Sequence, residues 1–130
     1  MDRIIEVIEE KIDLIAGQGA SKQEIELAEK QLGIRFASEY KEYLQKYGSA
    51  SFDGSEFTGI TPIERLNVVI VTKKERDRDA SGERDNYYVI EQTGMDDIVI
   101  WQDESGKVYQ TYGIEKPKQI FNSLVEYISL

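Results

Sequence analysis

The chain has 130 residues, 40% hydrophobic and 32% charged, which suits one globular domain built on a single core and is short for two. With 25 acids against 16 bases the net charge is -9, so contact with nucleic-acid phosphates or anionic membrane surfaces is unfavourable and a basic partner is the natural complement. Histidine and cysteine are absent, which excludes the usual zinc ligands, the general base that works near neutral pH, the thiol nucleophile and any disulfide framework.

Residues 2–16 place Ile4, Ile5, Ile8, Ile12 and Ile15 at helical intervals and close on Gly17 and Gly19, which predicts a first helix laid on the core. Acids recur through the same stretch where a signal peptide needs an unbroken apolar centre, and the longest apolar run, residues 68–71, is far too short for a bilayer. The expected address is the cytoplasm.

Residues 21–48 predict two short helices joined by a tight break. Ser21 and Glu24 form a capping box, Ile25, Ala28 and Leu32 make an apolar stripe, and Gly33 supplies a left-handed stop. The second helix opens near Ser38, aligns Tyr40, Tyr43, Leu44 and Tyr47, and stops at Gly48. Glu29, Leu32, Gly33, Ile34, Phe36, Glu39, Tyr40, Lys41, Leu44 and Gly48 together resemble the SUKH superfamily, the group of bacterial toxin-immunity proteins and fungal cell-wall synthesis regulators. One departure is Ala37, where that family usually has proline.

Further on, residues 49–54 read as a small polar connection, residues 56–60 as a short strand, and Pro62 to Leu66 as a brief turn. Residues 68–78 pose a conflict. Four consecutive apolar residues favour a strand by propensity, whereas the resemblance implies a helix capped by Asn67, which is the expectation adopted. Residues 77–85 mix both signs around Ser81 and Gly82 and read as a solvated loop.

Residues 87–91, 98–102 and 107–112 are strand-like and separated by glycine-bearing turns, so an antiparallel meander is expected; the run also resembles the SUKH sheet region. Pro117 is expected to open a terminal helix with Phe121, Leu124 and Ile128 on one stripe. The fold class is therefore α+β, an antiparallel sheet with helices packed on it, in one SUKH-like domain over residues 1–130.

The acid pairs Asp96 with Asp97 and Asp103 with Glu104 carry no nucleophile motif and no calcium-loop spacing, and aspartate is at home in hairpin turns. No catalytic residue, metal site or cofactor is expected. Between residues 86 and 115 stand six acids, Glu91, Asp96, Asp97, Asp103, Glu104 and Glu115, against the single base Lys107. These carboxylates would border a sheet face bearing Trp101, Tyr109 and Tyr112, a surface suited to a basic protein because rings give contact area and charge steers encounter. Period-2 patterning leaves open whether Trp101 faces out or into the core. The helical tyrosines Tyr40, Tyr43 and Tyr47 are expected in the core. Resemblance to SUKH proteins implies an immunity protein that blocks a cognate toxin, and such toxins are often nucleases with basic clefts. The expected contacts are Glu91, Asp96, Asp97, Trp101, Asp103, Glu104, Tyr109 and Tyr112, with a non-catalytic scaffold or regulatory module as the alternative.

Overall fold

A computed structural model describes residues 3–129. In chain order the elements are α1 (Arg3–Glu9), β1 (Ile15–Ala16), α2 (Lys22–Leu32), α3 (Ser38–Tyr47), β2 (Ala50–Phe52), β3 (Ser55–Phe57), α4 (Val68–Arg76), β4 (Tyr88–Gln92), β5 (Ile98–Gln102), β6 (Val108–Tyr112), β7 (Lys118–Phe121) and α5 (Leu124–Ile128), with a 3₁₀ turn at Glu64–Leu66. The strands form one antiparallel sheet in sequential order. The fold is α+β, as the sequence predicts. The expected meander of three strands is the middle of a seven-stranded one.

The α2–α3 pair forms as its signals dictate. Ser21 and Glu24 exchange both hydrogen bonds of the capping box, and Gly33 turns left-handed at φ 66°. Ile34 then donates to the Glu29 carbonyl, closing the helix in the Schellman manner. Ile25, Ala28, Leu32, Tyr40, Tyr43, Leu44 and Tyr47 are all buried, in one cluster with Ile4, Ile8, Tyr88, Ile90, Ile100, Val108, Leu124 and Ile128. Gly48 does more than end α3: a Cβ on Gly48 would meet the Gln18 carbonyl, and one on Gly59 would strike that of Gly48. Three backbone segments cross there too closely for any side chain.

The helix over residues 68–76 is confirmed against its strand-like composition, because Asn67 Oδ1 accepts from the amides of Val69 and Ile70. The helix also resolves an edge problem in the sheet. Strand β3 pairs with β4 only at Phe57 and Glu91, which leaves the start of β4 without a strand neighbour on that side. There the Thr72 hydroxyl accepts from Val89 N at 3.0 Å and the Thr58 hydroxyl donates to the Val89 carbonyl at 2.8 Å. Two side chains substitute for a missing ladder.

Three expectations are corrected. The first helix ends at Glu9; Ile12 and Ile15 are exposed, and residues 15–16 instead pair with β2. Lys11 enforces the break by reaching the Ile128 carbonyl and the Asp53 carboxylate. Residues 50–52 are a strand, joined to β3 through Asp53 and Gly54, both at positive φ as a type I′-like hairpin requires. Pro117 opens no helix: residues 118–121 pair with β6, and α5 starts only after Ser123, whose hydroxyl accepts from Glu126 N.

Candidate functional site

In a sequential meander the turns alternate between the two ends of the sheet. The β2–β3, β4–β5 and β6–β7 turns therefore share one end, and the β5–β6 turn lies at the other. A second division comes from the two faces. Val89 pairs with Trp101 and Trp101 with Tyr109, while Ile98 pairs with Tyr112. Tyr109 and Tyr112 are thus on opposite faces, and the anticipated single face carrying Trp101, Tyr109 and Tyr112 does not exist.

Trp101 is fully buried against Val71, Val89 and Val99, with its indole N–H donating to Thr111 at 2.9 Å. Its inward orientation removes it from any contact surface. Arg84, which the sequence places in a solvated loop, is also fully buried. Its guanidinium sits 5.4 Å over the Trp101 ring and donates to the carbonyls of Glu75, Gly113 and Glu115. A buried cation thereby holds the β6–β7 turn in place. Nothing in the local sequence marks it, since its acceptors lie 9 to 31 residues away.

At the far end of the sheet, Asp103 is consumed by its own turn, accepting from Ser105 Oγ at 2.6 Å, Lys107 N at 3.1 Å and Tyr109 OH at 2.8 Å. Tyr109 is half-buried edge-on to Tyr87, and burial together with Asp103 pushes its phenol up. Glu104 is exposed beside a cleft of about 460 Å³ lined by Gly33, Ile34, Asn86, Asp103 and Ser105. Glu91 is elsewhere again, only 5% exposed and facing α5.

The shared end of the three turns is different. Asp96 and Asp97 both adopt left-handed backbone in the β4–β5 turn, and the Asp97 carbonyl accepts from Gly113 N, which fastens this turn to the β6–β7 turn. Around that link Met95, Tyr112 and Ile114 stand 68%, 52% and 70% exposed. Asp96 is exposed with no cationic partner among the described residues. Asp97 accepts two hydrogen bonds from Arg78, and these hold its carboxyl below the usual range. Of the eight residues expected from sequence, Asp96, Asp97 and Tyr112 come together here; Asp103, Glu104 and Tyr109 gather at the opposite end. Met95 and Ile114 were not anticipated, although each is an apolar residue inside a polar turn.

Among the described residues no group of three or more acids is arranged to hold a metal ion, and no helix is long and apolar enough to cross a membrane. No curated protein matches the chain. A family model described as SUKH_5, SMI1-KNR4 cell-wall, matches residues 1–129, and with nearly the whole chain covered the protein belongs to that SUKH family.

Proposed function

We propose that the protein is an immunity protein, neutralising a cognate toxin domain by forming a one-to-one complex and covering a basic active cleft. The observation that carries this reading is the end of the sheet where exposed Met95, Tyr112 and Ile114 lie among Asp96, Asp97 and Glu115. Large exposed apolar side chains amid carboxylates give a partner both a dry contact and a steering field. A net charge of -9 fits a positively charged partner, such as a nuclease cleft that the acids would engage in place of phosphates. Membership of the SUKH family, which includes immunity proteins, supports the role.

The test is co-expression with a candidate cognate toxin domain, sought first among the neighbouring genes. Growth is rescued by the wild-type chain and lost with Asp96→Lys, Tyr112→Ala and Glu115→Lys combined, provided the variant keeps its circular dichroism and melting temperature. Rescue by the folded triple variant overturns the contact surface, and no rescue by the wild type overturns the role. The cell-wall description of the matching family favours a second reading, a regulatory scaffold; that predicts binding to a partner whose activity is unchanged in the complex.

A further inference from the structure

A second feature lies at the same end of the sheet as that surface. Phe52 and Phe57 stack at 4.7 Å and 19°, and Tyr127 meets Phe57 edge-on at 6.4 Å and 79°. With Asp53, Ser55, Ile128 and Glu91 these rings line a pocket of about 170 Å³. A bulge in β4 aims the carboxylate into it: the register shifts between Val89 and Glu91, so Glu91 pairs with Ile100 and faces the α5 side rather than following Val89 to the Trp101 side.

Glu91 is buried, accepts one hydrogen bond from Tyr127 OH, and meets no cation among the described residues. At the rim, Lys11 is committed to Asp53 at 2.7 Å and to the Ile128 carbonyl at 3.0 Å, with its ammonium 5.8 Å from the Phe52 ring centre. Burial and the neighbouring carboxylate push the Tyr127 phenol up, so it stays a donor to Glu91. A desolvated carboxylate among ring faces is costly without a counter-charge. An ammonium or guanidinium supplies that charge, donors for the free lone pairs and a cation–π contact. The volume falls below the range of roughly 300–1,000 Å³ that holds whole small molecules.

We propose that this pocket receives the cationic end of a lysine or arginine side chain presented by another protein. Only the identity of that protein as the toxin rests on the function proposed above.

The test is nuclear magnetic resonance titration of the purified chain with Nα-acetyl-arginine N-methylamide, its lysine counterpart, and the citrulline analogue, which has the arginine shape without the charge. The expected result is saturable shifts at Phe57, Glu91 and Tyr127 for the charged probes, and affinity weaker by about tenfold for citrulline and for Glu91→Gln. Equal binding of citrulline, shifts centred on Asp96 instead, or no saturation overturns the proposal. The citrulline comparison uses the wild-type chain alone, so it stands even if Glu91→Gln fails to fold. Probe binding without toxin binding would count against the immunity role only, and toxin binding without probe binding against the pocket only.

Discussion

Ala37 shows how one residue redirects a buried polar chain. Its amide donates to Tyr88 OH at 3.0 Å, Tyr88 donates to Gln102 Oε1 at 2.8 Å, and Gln102 Nε2 donates to Glu39 at 2.7 Å. Glu39 in turn accepts from the Leu124 and Val125 amides at the start of α5. A proline at position 37, usual in the family, has no N–H to begin this thread, although the observed φ of -60° would accommodate its ring. The cost of Ala37→Pro is therefore expected to be larger in the wild type than in Tyr88→Phe, by about 1 kcal/mol in a denaturant double-mutant cycle. Additive effects would mean the bond contributes nothing. Asp97 gives a pH expectation. Its carboxyl is held low by Arg78, so the contribution of the pair is present above about pH 4 and is lost as pH falls through the lowered value. The protection factor of the Gly113 amide, its exchange corrected for the intrinsic pH dependence, should fall on acidification in the wild type, and Asp97→Asn should flatten that dependence.

Local signals and distant partners divide what the sequence reveals about each element. The capping box at Ser21 and the stop at Gly33 could be read because donor and acceptor sit within four residues, whereas the helix capped by Asn67 was implied by the family resemblance against a strand-like composition. The β2–β3 hairpin carries an equally local signal in Asp53–Gly54, and α5 one in Ser123 with Glu126, each masked by a competing one, the small-residue composition of the connection and Pro117. Period-2 counting alone separates Tyr109 from Tyr112. The burial of Trp101 and Arg84 was not legible, since α4 and the loop after it cover that face through long-range contacts. Nor was the work of Glu39, whose partners are 63 to 86 residues away. The residues that carry the family resemblance are architectural: Glu29 accepts from Phe36 N, Tyr40 bonds Thr58, and Gly48 permits a backbone crossing. They fix the fold, and the contact surface proposed above lies apart from them, in the turns. Glu39→Ala is expected to cost about 3 kcal/mol and to speed hydrogen exchange at Leu124 before the rest of the chain. Unchanged exchange there would remove Glu39 as the cap of α5.

On the scale of the whole molecule, the core is unusually phenolic. Tyr40, Tyr43 and Tyr88 are fully buried, and burial pushes each phenol up. Because their folded-state pKa values lie above the unfolded value, the stability they contribute is complete below about pH 10 and is lost as pH rises beyond it. Their ionisation, seen as the phenolate absorbance that remains after the exposed tyrosines such as Tyr112 have titrated, should coincide with exposure of Trp101 followed by fluorescence; complete ionisation of all the tyrosines ahead of unfolding would contradict their burial. The surface follows a different rule from the core. Acidic turns and exposed Met95, Tyr112 and Ile114 meet at one end, where partner contact is proposed. Titration calorimetry against a candidate cognate toxin domain tests that proposal most directly. One-to-one binding is predicted, weakening as salt rises and losing about thirtyfold in affinity with Tyr112→Ala. No binding, or binding indifferent to salt and to Tyr112, would contradict it.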